Sequence, residues 1–426
     1  MIMNGGANIK KNSTPVPIKL GINGLGRIGK LSLWHQVERH YFAEIVVNLG
    51  REAGTSLEDI ALFIEKDSTY GSLHRYLYGC RASRVIEELD EKLGRMVING
   101  TPVTILRQQR NPRDIGWREH GVELVVEATG QFRDPTLPAD DDKGSLRGHL
   151  AAGARKVVVS APFKIGDKSR TVPDDAVTTI MGINESDYDP VRHLVVSSAS
   201  CTTTCLAFML KPLMDSFGSK QILSVSMATV HASTPSQQVL DHLPKAGAQD
   251  LRKNRSIFNN IILTTTGAAE TLGQVLPEMR QIPFIAESVR IPVNTGSLII
   301  LVVNFQEVVD KPLVDRGLVN NVYRDYAARD PNGYLLYTEE QNVSGDIIGL
   351  YRVAAIIEGH ETHTRTANAL FDLSQAIPAK FLEKLPETQL EIPVTQVVIY
   401  GWYDNELGSY SNLLGDRLVS MAEFML

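Results

Sequence analysis

Residues 18–29, with the sequence IKLGINGLGRIG, decide the fold of this 426-residue chain. An apolar run typical of a strand leads into the pattern G-x-G-x-x-G over residues 24–29. A plausible helix then runs through Leu33, Trp34 and Val37. Glycines at this spacing let a strand turn tightly into a helix whose N-terminus can receive a pyrophosphate. The segment therefore predicts a dinucleotide-binding unit. The residues assigned to the cofactor here are Gly24, Gly26, Arg27, Ile28 and Gly29.

Short apolar runs of strand length recur through the first half of the chain, separated by stretches typical of helices. Runs without polar alternation indicate strands of a parallel sheet that is covered on both faces. The pattern predicts an α/β fold with a Rossmann-type doubly wound parallel sheet. The predicted strands lie at 18–22, 44–47, 122–126, 156–159 and 194–196, and two crossover helices lie at 57–66 and 145–154.

The character of the sequence changes near residue 200, where longer β-type runs appear with fewer helices between them. This change predicts a second, mixed α+β catalytic domain. The expected organisation is a loose N-terminal tail at 1–17, a dinucleotide-binding domain at 18–199 and a catalytic domain at 200–403. Polar, proline-containing segments at 134–143 and 386–393 predict surface loops.

Composition excludes several classes of protein. The chain is 43% hydrophobic with a net charge of −6, so it has no global positive field to hold nucleic acid or an anionic membrane. Three cysteines cannot form a secreted disulfide framework, and no run of about 18 apolar residues is present to span a bilayer. We expect a cytosolic protein with no nucleic-acid partner, no membrane partner and no metal site.

The choice of dinucleotide stays open at this point. The glycine pattern predicts an acidic residue about 20 positions further on, which would hold the ribose hydroxyl of NAD. Counting from Gly29, that position is Leu49. Nearby Glu52 could substitute for the acid, whereas Arg51 could receive the 2′-phosphate of NADP. We also assign Thr129 and Gly130, at the end of another strand, to the cofactor.

A thiol and an imidazole are the candidate catalytic groups. Cys201 follows a strand and begins a predicted helix, where unpaired backbone N–H groups and the helix dipole favour the thiolate. Cys205 lies one turn further on and is predicted to be a small buried residue. His231 ends a later strand and is the candidate base.

Seven motifs occur in the order found in glyceraldehyde-3-phosphate dehydrogenases, and the chain resembles that family from residue 18 to near its C-terminus. The motifs are NGLGRIG at 23–29, KDSTYG at 66–71, SSASCTTTC at 197–205, TVHA at 229–232, TGAA at 266–269, RIP at 290–292 and WYDNE at 402–406. The resemblance implies oxidative phosphorylation of glyceraldehyde 3-phosphate to 1,3-bisphosphoglycerate, a role in glycolysis and a homotetramer. Cys201 would attack the aldehyde, His231 would move the proton, and NAD or NADP would take the hydride.

The resemblance also implies two anion sites beside the thiol. It further implies that Asn405 binds the nicotinamide carboxamide and that residues 404–426 return to complete the first domain. Positions for the triose phosphate are Thr234 and Arg290, and those for inorganic phosphate are Ser200, Thr202, Arg255, Thr266 and Gly267.

The chain departs from the family pattern in four places and carries extra segments. Leu49 replaces the expected acid, Thr204 stands for the family's second asparagine, Glu270 replaces a lysine, and residues 405–411 contain one extra residue. Two alternatives therefore stay open. One is a related phosphorylated-aldehyde dehydrogenase, for example one that acts on erythrose 4-phosphate, and the other is a non-catalytic dinucleotide-binding protein.

Overall fold

The structure is a computed structural model that describes residues 15–80 and 85–426. Its contacts divide the chain into two compact units. The first unit contains the residues through Thr204 together with 348–354 and 404–426, and the second contains 205–347 and 355–403. Of the tail predicted at 1–17, residues 1–14 lie outside the described residues. The predicted domain boundaries after residues 17, 199 and 403 stay predictions.

The strands and helices, numbered in chain order, are as follows. The strands are β1 Val16–Asn23, β2 Phe42–Asn48, β3 Lys66–Asp67, β4 Gly71–Ser72, β5 Ile86–Asp90, β6 Arg95–Ile98, β7 Thr101–Leu106, β8 Val122–Glu127, β9 Lys156–Val159, β10 Ala176–Thr178, β11 Val195–Ser197, β12 Ile222–His231, β13 Ile262–Thr264, β14 Phe284–Arg290, β15 Ser297–Gln306, β16 Leu335–Thr338, β17 Ala355–Glu358, β18 His363–Asp372 and β19 Gln389–Tyr403. The helices are α1 Arg27–Arg39, α2 Leu57–Glu65, α3 Leu73–Tyr78, α4 Leu146–Ala151, α5 Cys201–Phe217, α6 Ala268–Val275, α7 Arg316–Arg329, α8 Ser344–Ile347, α9 Leu373–Ala376, α10 Ala379–Leu382 and α11 Tyr410–Glu423.

The first unit is built on a nine-stranded sheet with the order β10-β11-β9-β8-β1-β2-β7-β6-β5. Every pair from β10 to β7 is parallel, and β6 and β5 add an antiparallel edge. The chain leaves β1 for β2 on one side and later returns to β8 on the other, so the topological switch point lies at β1. Ligands of doubly wound sheets bind at such a point, beyond the carboxyl ends of the strands. The predicted parallel sheet is confirmed.

Both faces of this sheet are buried. Leu20 and Ile22 of β1 are fully buried in one cluster that includes Trp34 of α1 and Leu418 of α11. Val125 of β8 belongs to a separate cluster on the other face. Each large aliphatic side chain removed from water contributes about 1.5–3 kcal/mol, which explains why the uninterrupted apolar runs form the central strands.

The second unit contains an eight-stranded mixed sheet, with the order β13-β14-β12-β15-β19-β17-β16 and with β18 paired to β19. Buried and partly buried residues alternate along β15, as expected for a sheet with one face on the core. The predicted mixed domain is confirmed. Within the described residues, no helix is long and apolar enough to cross a membrane.

One expectation about a loop was wrong in part. Residues 386–393 were expected to form a surface loop, but β19 begins at Gln389 and its residues 389–398 pair with β18, with Pro393 opposite Asn368. Residues 389–393 and the whole of β18 are exposed or only partly buried, so this outer part of the hairpin has no buried apolar face from which a strand could be predicted.

Candidate active site

The three glycines of the loop after β1 have separate structural roles. Gly24 has φ +94°, a conformation that favours glycine, and a Cβ on Gly29 would overlap the carbonyl oxygen of Gly24. Among the described residues, none apart from its own chain neighbours lies within 4 Å of the position that a Cβ on Gly26 would take. These are the roles expected for a tight turn, close packing of helix on strand, and close approach of a pyrophosphate, respectively.

The N-terminus of α1 is open to an anion. Gly26 is its N-cap, no side chain caps the helix, and its first turn contains no acidic residue. The first backbone N–H groups of the helix therefore lack intrahelical or side-chain acceptors in this turn. With the space above Gly26, this arrangement fits the pyrophosphate of a dinucleotide.

Three polar residues end adjacent strands of the sheet and hold the loop from below. Asn23, Asn48 and Glu127 are the last residues of β1, β2 and β8, and they face one another in register. Asn48 Nδ2 donates to Asn23 Oδ1 at 2.8 Å, and Asn23 Nδ2 donates to Glu127 Oε2 at 2.7 Å. Glu127 also accepts the N–H of Thr129 at 2.8 Å and its hydroxyl. This network fixes the strand end that carries Thr129.

A buried histidine completes the hydrogen bonding of Glu127, whose side chain is inaccessible to solvent. The indole N–H of Trp117 donates to His149 Nδ1 at 2.9 Å, so the ring proton is assigned to Nε2, which lies 3.0 Å from Glu127 Oε2. A buried carboxylate needs such donors. Sequence reasoning missed this network: the sequence shows a polar residue directly after each of three predicted strands, but not that these residues meet.

Arg27 connects the loop to the C-terminal segment within the first unit. Its guanidinium donates to the carboxylate of Glu406 and lies 3.5 Å from Asp67 Oδ2, while Lys30 Nζ lies 2.7 Å from the same oxygen. Burial alone would lower the pKa of Arg27, but the hydrogen bond and charge of Glu406 outweigh it and raise that pKa. Arg27 is therefore held in place beside the glycine loop.

A cavity of about 520 Å³ opens beside the glycine loop, wholly within the first unit. It contains Leu49 and Arg51 but not Glu52, which lines a different cavity. Gly130, with φ +70°, follows Thr129 at its edge. The size of the cavity and its position beyond β1, β2 and β8 fit the nucleoside half of a dinucleotide. Its lining is Gly24, Leu25, Gly26, Leu49, Arg51, Ala53, Gly54, Asp59, Ile60, Phe63, Ala128 and Thr129.

Cys201 is the first residue of α5 and is partly exposed. Ala199, two residues earlier, has φ +56°, a conformation rare outside glycine that is often found at functional sites. The hydroxyl of Ser200 accepts the N–H of Thr203 at 3.1 Å and so caps the helix. The thiol therefore lies at a helix N-terminus, where the thiolate is favoured, as the sequence predicted.

The C-terminal segment brings an amide to the thiol. Asn405 Nδ2 lies 4.0 Å from Cys201 Sγ, and the hydroxyl of Tyr410 donates to the carbonyl oxygen of Ala199 at 3.1 Å. Burial, together with the nearby Cys201, raises the pKa of Tyr410, so this hydroxyl remains a donor. The two contacts attach residues 404–410 to the bend that carries Cys201.

The other two cysteines have the environments expected for residues without a catalytic role. Cys205 is fully buried, with its sulfur 3.9 Å from the carbonyl oxygens of Gly401 and Trp402 in the second unit. Cys80 is exposed.

In the second unit, His231 and Arg290 end the parallel strands β12 and β14 directly opposite each other. His231 is 6% exposed. Its Nδ1 lies 2.7 Å from the carbonyl oxygen of Ala232, and Arg290 Nη1 contacts the same Nδ1 and donates to the Ala232 carbonyl at 3.1 Å. Nδ1 cannot donate to Ala232 and accept from Arg290 together. We assign its proton to the Ala232 hydrogen bond, which leaves the lone pair on Nε2.

This environment keeps the imidazole neutral. Burial, followed by the charge of Arg290, lowers the pKa of His231 to about 4. A neutral ring with a lone pair on Nε2 is the form that a general base needs at neutral pH.

The remaining predicted anion-binding residues lie in turns or at helix ends. Thr234 donates its N–H and hydroxyl to Gln237 Oε1, each at 2.8 Å. Thr266 accepts the N–H of Ala268 at 3.2 Å, and Gly267 is the N-cap of α6. Thr202, in the first turn of α5, is buried. Arg255 is exposed and pairs with Asp241 at 2.8 Å. Their binding roles stay predictions.

Together, the fold and these groups define a class: a dinucleotide-dependent oxidoreductase with a cysteine at a helix N-terminus. Residues 18–135 match the family described as glyceraldehyde 3-phosphate dehydrogenase, NAD binding domain, and residues 200–374 match its C-terminal domain. The chain belongs to the glyceraldehyde-3-phosphate dehydrogenase family.

Curated relatives extend the similarity over nearly the whole chain. Glyceraldehyde-3-phosphate dehydrogenase from Streptomyces coelicolor is 37% identical over 404 residues, covering 94% of this chain and 98% of the relative. Glyceraldehyde-3-phosphate dehydrogenase 2 from Streptomyces avermitilis is 35% identical over 402 residues, with the same coverage. Glyceraldehyde-3-phosphate dehydrogenase 1 from Bacillus subtilis is 33% identical over 408 residues, covering 96% and 98%.

Proposed function

We propose that the protein oxidises and phosphorylates glyceraldehyde 3-phosphate to 1,3-bisphosphoglycerate, using NAD or NADP. The observation that carries the proposal is the position of Cys201 at the N-terminus of α5, with the amide of Asn405 beside its sulfur, in a member of this family. A nucleophile needs a thiolate, and the first turn of a helix supplies the partial positive charge that favours one.

Cys201 is the proposed nucleophile and His231 the proposed base. As the sulfur forms a bond to the aldehyde carbon, His231 transfers the thiol proton to the carbonyl oxygen, and the carbon becomes a hemithioacetal. His231 Nε2 takes the hydroxyl proton as the carbon loses its hydride, and a thioester remains. Inorganic phosphate then attacks the thioester carbon, the C–S bond breaks, and the products are the acyl phosphate and the free thiolate. The dinucleotide, when bound, accepts the hydride.

The cofactor is proposed to lie along the first unit. Gly24, Gly26 and Gly29, with Arg27 and Ile28, are proposed to form the pyrophosphate loop. Thr129 lines the cavity beside it, and Gly130, the next residue in the chain, is proposed to contact the cofactor with it. Asn405 is proposed to bind the nicotinamide carboxamide. Its amide lies beside the thiol, and hydride transfer requires the nicotinamide to face the carbon that is bonded to that thiol.

The anion sites remain proposals at the level of single residues. Arg290 and Thr234 are proposed to hold the triose phosphate; the Arg290 guanidinium supports this role because it suits a phosphate dianion. For inorganic phosphate the proposed residues are Ser200, Thr202, Arg255, Thr266 and Gly267. Glu270, exposed in the first turn of α6, places a negative charge near Thr266 and Gly267 and is expected to weaken that site.

The test is reduction of NAD and NADP by the purified protein with glyceraldehyde 3-phosphate, with and without inorganic phosphate, beside a Cys201→Ser control. Phosphate-dependent turnover that is lost in the control supports the proposal. Equal rates with and without phosphate, with the acid as the product, would favour the alternative of a related phosphorylated-aldehyde dehydrogenase. That alternative is then tested with erythrose 4-phosphate as the substrate. No turnover from a protein that binds dinucleotide would favour the non-catalytic alternative.

We also propose that the protein is a cytoplasmic homotetramer that acts in glycolysis, as the family membership suggests. Apolar side chains exposed on β13 and β14 support association, since Leu263 and Ile285 are 57% and 66% exposed. Light scattering of the purified protein tests the tetramer, and a monomer at micromolar concentration would contradict it.

A further inference from the structure

Arg51 and Glu52 are adjacent in the chain and are both candidates to contact the ribose of the cofactor, but they line different cavities. Arg51 lines the 520 Å³ cavity beside the glycine loop. Glu52 lines a second cavity instead, where its carboxylate lies 3.9 Å from Arg107 and its side chain is 74% exposed. Glu52 is therefore not placed to accept hydrogen bonds from a ribose in the first cavity. The position from which an acid would act is occupied by Leu49, which packs partly buried against the core.

The charge around this end of the cavity is set by arginines without partners. Among the described residues, neither Arg51 nor Arg110 forms an ion pair or a side-chain hydrogen bond. Both side chains are exposed, and the two residues flank the same turn. The position of a Cβ on Gly50 lies 3.5 Å from the Cα of Arg110 and 3.9 Å from its Cγ. Arg51 therefore lines the cavity without a partner among the described residues, and Arg110 packs against Gly50, which follows the residue that replaced the acid.

One carboxylate in the cavity lining carries a negative charge, opposite in sign to the charges of the two arginines. Asp59 borders the cavity, but its Oδ2 accepts the N–H of Thr55 at 2.6 Å and the hydroxyl of Thr55 at 2.7 Å. These hydrogen bonds hold Asp59 at the start of α2 and occupy one of its oxygens. Asp59 is thus the alternative ribose acceptor that an experiment must exclude.

We infer that the cofactor of this protein is NADP and that Arg51 is the residue that selects its 2′-phosphate. The inference rests on the proposed dinucleotide-dependent function and specifies the cofactor of the same site. Leu49 offers no acceptor to a ribose hydroxyl, whereas a guanidinium without a partner donates charge-assisted hydrogen bonds to a phosphate. Such bonds correspond to about a 10- to 100-fold preference for NADP over NAD.

The test uses 2′,5′-ADP and 5′-ADP, which differ in the position of one phosphate, and measures their binding to the full chain by titration calorimetry at fixed ionic strength. The wild type is expected to bind 2′,5′-ADP at least 10-fold more tightly. Arg51→Gln should remove most of this preference, and Arg51→Lys should keep part of it. Arg192→Gln, an equal change of charge in the loop before β11, is the matched control and should leave the preference unchanged.

Two further variants separate the alternatives. Leu49→Asp should reverse the preference by repelling the phosphate and accepting the hydroxyl of NAD. If the wild type binds 5′-ADP at least as tightly as 2′,5′-ADP, or if Arg51→Gln binds like the wild type, the inference is wrong. If Asp59→Asn rather than Leu49→Asp controls the preference, Asp59 reads the ribose and the inference is also wrong. Selective binding of 2′,5′-ADP without any turnover would instead refute only the proposed reaction.

Discussion

Two alanine substitutions in the glycine loop should have opposite effects on folding and on binding. A Cβ on Gly29 would overlap the carbonyl oxygen of Gly24, which is backbone and cannot rotate away. Within the part of the chain that the structure describes, a Cβ on Gly26 would meet no residue other than its chain neighbours within 4 Å. Gly26 has φ −77°, which alanine adopts without strain. Gly29→Ala should therefore damage the fold, whereas Gly26→Ala should damage only the site for the pyrophosphate.

The size of the difference follows from the local structure. Gly29 lies inside α1, where alanine gains about 1 kcal/mol in helix propensity, and overpacking costs about 1–3 kcal/mol. Because the obstacle is backbone, we take the upper end and expect a net loss of about 2 kcal/mol. Gly26→Ala should gain about 0.4–1 kcal/mol by restricting the unfolded chain. At about 2–4 °C per kcal/mol, the midpoints of thermal unfolding should differ by about 5–10 °C.

The assay is thermal unfolding of both variants and the wild type, without cofactor and with saturating NADP or NAD. Cofactor should raise the midpoint of the wild type, since it binds only the folded state, and should not raise that of Gly26→Ala. The reasoning is refuted if the two variants unfold at the same temperature without cofactor. It is also refuted if Gly26→Ala retains the full shift on binding.

Three further predictions concern the thiol, the imidazole and the buried charges. Iodoacetamide at neutral pH should label the wild type and Cys205→Ser equally fast but leave Cys201→Ser almost unmodified over the same time, because only Cys201 lies at a helix N-terminus. Mass spectrometry measures the labelling, and equal labelling of Cys201→Ser and the wild type would contradict the prediction. Because the pKa of His231 is lowered to about 4 in the folded protein, the unfolded chain takes up the proton first as the pH falls below about 6.5. By pH 4 the wild type should therefore lose up to about 3 kcal/mol of unfolding free energy relative to His231→Gln. Urea titrations that show a constant difference between these proteins would contradict this. Glu406→Gln should cost about 1 kcal/mol of unfolding free energy and Arg27→Gln about 3, measured by urea unfolding. Burial and the charges of Asp404 and Asp67 raise the pKa of Glu406, and Arg27 is the cation paired with Glu406, whereas Asp67 is also paired with Lys30. Equal losses would show that the pair acts alone.

The pKa values of Arg27 and Glu406 are both raised, which has opposite meanings for a cation and an anion and explains that asymmetry. The raised pKa of Arg27 indicates a favourable environment for its charge, whereas the raised pKa of Glu406 indicates an unfavourable one. We give more weight to the burial of Glu406 beside Asp404 and Asp67. Glu406 therefore depends on Arg27 more than Arg27 depends on Glu406.

Much of the fold could be predicted from sequence because its signals are local. The run that forms β1, the glycine loop and the start of α1 occupy one continuous segment, and each step depends on residues a few positions apart. The position of Cys201 at a helix N-terminus was predictable for the same reason. The network of Asn23, Asn48 and Glu127 was not predictable. Asn48 and Glu127 lie 25 and 104 residues after Asn23 in the chain, and the three meet only because their strands pair in this register.

The strand β18 and the outer end of β19, residues 389–393, escaped prediction for a different physical reason. Strand patterns report burial, and Leu370 and Leu390, which are 64% and 38% exposed, contribute little to a core. The outer part of β19 is held by backbone hydrogen bonding to β18, to which every residue type except proline contributes alike. A strand without a buried face therefore leaves no periodic signal in its sequence.

The choice between NAD and NADP cannot be decided by counting positions in the sequence. A rule that counts about 20 positions from the glycines cannot distinguish Arg51 from Glu52, because both lie within its tolerance. The turn at Gly50, with φ +68°, directs the chain so that Arg51 faces the cavity of the glycine loop and Glu52 faces another. The charge that a ribose meets is thus decided by the path of a few backbone atoms, and two adjacent residues of opposite charge lead to opposite predictions about the cofactor.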